Sequence, residues 1–144
     1  LADRCDVIFT MLGYPHDVEQ VVLGNRHVSA SAGIDTTNQV GLLGQMSQGQ
    51  ILVDMTTSSP ELAVRMATAG QARSVAVLDA PVSGGDIGAR NATLSIMIGG
   101  DPGAVEALQP IWSCLGKTIV YHGQAGAGQR CKLTNQILVG GIMI

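Results

Sequence analysis

Short β-branched runs alternate with segments of helical period along almost the whole chain, and this alternation decides the fold class. Residues 5–12 (Cys-Asp-Val-Ile-Phe-Thr-Met-Leu) form a brief apolar run closed by Gly13. A run so short, with both faces mostly apolar, suits a strand buried on two sides of a parallel sheet. Residues 51–54, 75–79, 93–98 and 118–121 repeat the pattern. Between them the period changes. Val18, Val21 and Val22 follow Pro15 at helical spacing, and a short helix is predicted over 39–46. Ser58-Ser59-Pro60-Glu61 combines an N-cap candidate, a first-turn proline and a first-turn carboxylate ahead of Leu62, Met66 and Ala69. Asp101-Pro102 opens another helix, carrying Val105, Leu108, Ile111 and Leu115. Pro110 should kink or split it, because proline has no N–H to donate. Residues 24–38 and 80–88 read as loops, and from about Ala127 the chain turns helical. Strands alternating with helices predict an α/β fold, a doubly wound and mainly parallel sheet.

Composition narrows the function classes. The 144 residues are 46% hydrophobic and only 13% charged, enough for one well-filled core. The net charge of -3 and the lack of a basic run argue against a nucleic-acid partner. No stretch reaches the roughly 18 to 20 apolar residues of a membrane span. The opening Leu1-Ala2-Asp3-Arg4 does not read as a signal or transit peptide, and none is expected there. Cys5, Cys114 and Cys131 are odd in number and lack metal-ligand spacing, so we expect reduced, mostly buried thiols inside the cell and no metal site. Residues 137–144 are all apolar or glycine. That suggests a helix packed on a partner, or a chain cut from a longer protein.

In open α/β sheets, ligands bind outside the carboxyl ends of the strands. Three such ends carry unusual residues: 11–15 (Met-Leu-Gly-Tyr-Pro), then 54–60 (Asp-Met-Thr-Thr-Ser-Ser-Pro), then 79–85, which ends in Ser83-Gly84-Gly85. The last offers a hydroxyl and two glycines whose N–H groups can approach an anion closely. A tight turn needing positive φ would have the same composition. Only two lysines exist. Lys117 follows Gly116 in an expected turn and should point to water. Lys132, Asn135 and Gln136 stand at i, i+3 and i+4 and so share a helix face. That face is either solvated or a lysine held against apolar surroundings, where its pKa falls and it can act as a general acid or base. The dinucleotide fingerprint G-x-G-x-x-G is absent: Gly126 and Gly128 supply G-x-G, but Cys131 stands at the third position.

Taken in order, these segments resemble the β-hydroxyacid dehydrogenases, and among them the 3-hydroxyisobutyrate dehydrogenase-like proteins. Residues 6–12 resemble the family's strand before its Met-Leu-Pro turn, and residues 54–60 its D-x-S-T-x-x-P segment. Residues 79–85, with Gly88-Ala89 and Thr93-Leu94, resemble its substrate signature. Gly126, Gly128, Lys132, Asn135 and Gln136 resemble its G-x-G-x-x-x-K-x-x-N-[NQ] helix. Gly13 stands where the family has proline, and Ala92 where it has glycine.

The resemblance implies a Rossmann-like sheet, incomplete here, ending in the start of a long interdomain helix. Residues 1–124 would be the second half of a dinucleotide-binding domain, and 125–144 the start of the catalytic helix leading to an all-helical domain. It implies oxidation of a small β-hydroxyacid to a semialdehyde with NAD or NADP, in the setting of valine catabolism. Lys132 would be the general acid/base and Asn135 or Gln136 would orient it or the substrate. Ser83, Gly84 and Gly85 would hold the carboxylate, while Met11, Leu12 and Thr57 would line the nicotinamide side. A homo-oligomer is expected of the full-length protein, in the mitochondrial matrix of a eukaryote or the cytoplasm of a bacterium. Two alternatives stand beside this reading. One is a 6-phosphogluconate dehydrogenase-like enzyme, which places His where this chain has Asn135; the other is a catalytically inactive scaffold of the same fold.

Overall fold

The computed structural model describes residues 1–24 and 40–142; most of the loop expected over 24–38 lies outside them. After a 3-10 turn at Ala2–Arg4, three parallel strands form half of a six-stranded sheet: β1 (Val7–Thr10), β2 (Ile51–Asp54) and β3 (Ala76–Asp79). Their register places Ile8, Leu52 and Val77 side by side, and Phe9, Val53 and Leu78 in the next row. Successive side chains of a strand point to opposite faces, so these rows enter different cores. The first row packs with Val18 and Val22 of α1 (Pro15–Leu23), Leu43 of α2 (Leu42–Gln45), and Leu62 and Met66 of α3 (Pro60–Gln71). The second packs with Val105 of α5 (Pro102–Ala107) and Trp112 of α6 (Gln109–Leu115). Both faces are therefore covered, which is why the strands read as continuous apolar runs.

Several expected boundaries have visible causes. Ser59 Oγ accepts the Leu62 N–H at 3.0 Å and starts α3, and Asp101 Oδ1 accepts the Ala104 N–H at 2.8 Å and starts α5. Pro110 does split its helix: α5 ends at Ala107 and α6 begins at Gln109. The sole tryptophan then closes the second core, its Nε1 donating to the Val105 carbonyl at 3.0 Å and its ring meeting Phe9 edge-on.

Other expectations need correcting. The segment 80–88 is no plain loop: it holds the short strand β4 (Val82–Ser83) and opens into α4 (Gly85–Arg90). Two residues are too few for a period, so the strand left no sequence signal. β5 (Leu94–Gly99) runs antiparallel to β3 and to β4, and β6 (Gly116–Gly123) lies parallel to β5 at the edge. β4 runs in the same direction as β3, and the chain reverses after it, through the Gly84–Gly85 turn and α4, to enter β5. Lys117 is exposed as expected, but it lies within β6 rather than a turn. The cysteines are unpaired, yet none is buried: Cys114 is exposed and the other two are half-buried.

Ala92, which closes α4, has φ +53° in the left-handed region. That conformation costs a Cβ-bearing residue roughly 1–2 kcal/mol, whereas glycine adopts it freely. This explains why the family that the sequence resembles carries glycine there. Ala92→Gly should raise unfolding stability by about 1 kcal/mol in urea titrations followed by circular dichroism; a loss of stability would contradict the strain.

Candidate active site

The three parallel strands end together, and their last residues form a polar row, Thr10, Asp54 and Asp79. All three are buried. Thr10 Oγ1 donates to Asp54 Oδ1 at 2.9 Å, and the Thr56 N–H donates to the same oxygen at 3.2 Å. Burial pushes the Asp54 carboxyl above its usual range, against the pull of those donors. Thr56 then ties two loops together, its Oγ1 accepting the Leu12 N–H at 2.8 Å.

Asp79 does a different job. Its two carboxylate oxygens accept the N–H groups of Gly126 and Gln129, at 2.7 and 2.8 Å. These amides sit at the start of α7 (Ala127–Ile142), where unpaired N–H groups and the helix dipole favour a negative charge. Burial pushes the Asp79 carboxyl up, while the backbone bonds oppose the shift. The helix comes very close to the sheet. A Cβ at Gly128 would collide with the Met97 carbonyl oxygen and stand 2.8 Å from the Asp79 carbonyl oxygen. Only glycine admits the helix at this depth.

Anchored so, α7 carries Lys132 over the end of the sheet. Lys132 is only 7% exposed, and its Nζ donates to Ser83 Oγ at 2.8 Å. Burial lowers the pKa of its amine. At its lysine end this helix face is packed against the protein rather than solvated. Asn135 is half-buried, and its Nδ2 lies 3.4 Å from both Ser83 Oγ and Gln136 Oε1. Gln136 is exposed. Gly84 and Gly85 both have positive φ, +129° and +61°. At Gly84 a Cβ would also press on Leu94 Cδ2 at 3.3 Å, so the turn itself requires glycine. At Gly85 the space is open.

Met11 and Thr57 are exposed and Leu12 is half-buried, at the same end of the sheet. Ser58 Oγ is buried there without a partner among the described residues. The sequence did not single out Gln129. It is fully buried, accepts the Ser58 N–H at 2.8 Å and donates to the Thr56 carbonyl at 2.7 Å. Its one clue was its place between Gly128 and Lys132 on a helix whose neighbouring polar residues were already noted.

This arrangement has known counterparts. Residues 1–123 match the NAD binding domain of 6-phosphogluconate dehydrogenase. The chain belongs to the 6-phosphogluconate and β-hydroxyacid dehydrogenase family. The chain is 46% identical over its full length to an uncharacterized oxidoreductase of Bacillus subtilis, covering 45% of that protein. It is 42% identical over its full length to a probable 3-hydroxyisobutyrate dehydrogenase-like protein of Arabidopsis thaliana, described as mitochondrial, covering 39% of it. Among solved structures, 3-hydroxyisobutyrate dehydrogenase of Mycobacterium tuberculosis with L-serine superposes with a TM-score of 0.77 at 28% identity, over 96% of this chain and 42% of that one. The chain thus spans less than half the length of the relatives it matches. The family domain is a nicotinamide-dinucleotide one, and the cofactor class is NAD or NADP. The exposed shelf of Met11 and Thr57 beside the unpartnered Ser58 hydroxyl fits such a group.

The burial of Lys132 has a signed consequence for stability. An unfolded lysine keeps its proton up to its ordinary value of 10.5, but the folded one releases it earlier. Below the folded pKa the full penalty of burying a charged amine is in force. It fades as pH rises from the folded pKa to the ordinary one. Lys132→Met should therefore be more stable than the parent at neutral pH. Its advantage should shrink across that alkaline window in thermal melts; a pH-independent difference would contradict a desolvated charge.

Proposed function

We propose that the protein carrying this chain is an NAD(P)-dependent dehydrogenase of a small β-hydroxyacid, such as 3-hydroxyisobutyrate, giving the semialdehyde. The observation that carries this reading is the buried Lys132 amine on Ser83 Oγ. A hydroxyl-bearing carbon gives up hydride only as its hydroxyl proton leaves, so a base must stand within about 2.6 to 3.2 Å of that proton's oxygen. Lys132 is suited to it, because desolvation makes its neutral form easier to reach. When bound, the nicotinamide ring supplies the hydride acceptor.

Each neighbouring group has a proposed part. Ser83, Gly84 and Gly85 hold the substrate carboxylate, the open space over Gly85 leaving its backbone approachable. Asn135 orients the substrate or the Lys132 amine, supported by its approach to Ser83 Oγ. Gln136 extends that polar face through its contact with Asn135. Met11, Leu12 and Thr57 line the nicotinamide side. The serine bound to the Mycobacterium tuberculosis relative is itself a small β-hydroxyacid, which supports the substrate class.

We further propose a division of the chain into a dinucleotide-binding half, 1–124, and the start of an interdomain helix, 125–144. The family match over 1–123 supports it. So does α7, where Ile137 and Ile142 stand 75% and 83% exposed and would be covered by a second domain or a second copy of the protein. An intracellular location, mitochondrial in a eukaryote, is supported by the Arabidopsis relative.

A panel of small β-hydroxyacids with NAD and NADP, run on the full-length protein, tests the activity. Lys132→Ala should lower kcat by about 10²- to 10⁴-fold with little change in cofactor affinity. Near-normal kcat with an unaltered pH–rate profile would assign the base to another residue.

A further inference from the structure

The structure assigns Gln129 as the positioning residue that fixes the Lys132 amine relative to the loop at the end of β2, the proposed nicotinamide side. The assignment rests on the dehydrogenase reading above. The Gln129 side chain is fully buried and uses both ends of its amide on one loop: Oε1 accepts the Ser58 N–H and Nε2 donates to the Thr56 carbonyl. Its own N–H donates to Asp79. One residue thus joins helix, sheet and loop.

The geometry makes this more than cohesion. Gln129 and Lys132 are three residues apart on α7 and share a face. A helix advances 1.5 Å per residue, so a small slide or rotation of its first turn moves the amine by a comparable distance. On the loop side, Thr56 also accepts the Leu12 N–H through its Oγ1, so the clamp extends to the turn after β1. Proton and hydride must leave adjacent atoms of one substrate. The groups that receive them sit on separate elements, and Gln129 is the side chain that joins those elements directly. A misplacement of about 1 Å can cost on the order of 10²-fold in rate even when every reacting group is present.

The test uses the full-length protein with a hydroxyacid deuterated at the hydroxyl-bearing carbon. Gln129→Met removes both amide bonds at similar volume. Gln129→Glu keeps the acceptor for the Ser58 N–H and removes the donor to Thr56. Per titrated active site, Gln129→Met should lower kcat by about 10- to 100-fold, with at least as large a loss in Gln129→Glu, whose buried carboxylate would face the Thr56 carbonyl. In both, the deuterium isotope effect on kcat should rise as hydride transfer becomes the slow step. The KM for the hydroxyacid should hardly move in either variant, nor should the midpoint of the pH–rate profile in Gln129→Met, which adds no charge beside Lys132. Without any ligand, amide exchange at Ser58 should accelerate in Gln129→Met. Wild-type kcat and isotope effect per active site in both variants would overturn the assignment, as would a loss that only tracks the folded fraction. Should Gln129→Met fail to fold, Gln129→Glu decides alone. A wild-type protein inert toward every hydroxyacid with both cofactors would sink the dehydrogenase reading and this one together; an active wild type with unmoved variants sinks only this one.

Discussion

A single carboxylate holds the candidate site together. Asp79 ends β3 inside the protein and offers its two oxygens to two N–H groups at the start of α7. Hydrogen bonds to a charged group contribute about 1.5 to 3 kcal/mol each, and an unmet buried carboxylate costs more than that. Helix and strand end therefore need each other. The close approach works because Gly128 presents no Cβ to the Met97 and Asp79 backbones, and because Gly99 leaves room beside the carboxylate itself. Without this anchor there is no reason for Lys132 to lie against Ser83 rather than in water.

From that anchor the chemistry follows by short steps. The helix brings a lysine into partial burial, burial lowers its pKa, and a serine hydroxyl is the partner it finds. Asp54 plays a parallel role on the next strand. It gathers Thr10 and the Thr56 N–H and so shapes the loop that Gln129 clamps. Two buried carboxylates side by side are costly: Asp79 is met at both oxygens by donors at the helix start, and Asp54 at Oδ1 by Thr10 and Thr56, its Oδ2 having no partner among the described residues. Neither Asp54 nor Asp79 faces solvent, and both serve as structural supports.

Much of this could be read from the chain. The rows Ile8–Leu52–Val77 and Phe9–Val53–Leu78 are visible as apolar runs, because a strand covered on both faces has no polar alternation to obscure it. Ser59, Asp101 and Pro110 act through local backbone chemistry, and local chemistry is written locally. Lys132 and Ser83 stand out through their motifs, and the structure brings the two side chains into contact. What escaped has a common cause. β4 is two residues long and has no period; the antiparallel entry of β5 depends on a turn set by Gly84 and Gly85, whose φ values composition does not state. Gln129 acts on backbone groups of Thr56 and Ser58, more than seventy positions away, and those groups carry no side-chain signature.

The most direct test of the central claim is the titration of the Lys132 amine itself. Carbon-labelled methyl groups placed on lysine nitrogens report each amine by NMR. The account predicts that Lys132 titrates below the ordinary lysine value of 10.5 in the parent protein. In Asp79→Asn, where the anchor of α7 is weakened, it should move back toward the ordinary lysine value of 10.5. A Lys132 that titrates at the ordinary lysine value in the parent, or that does not move upward when the Asp79 anchor of α7 is weakened, would contradict the account at its base.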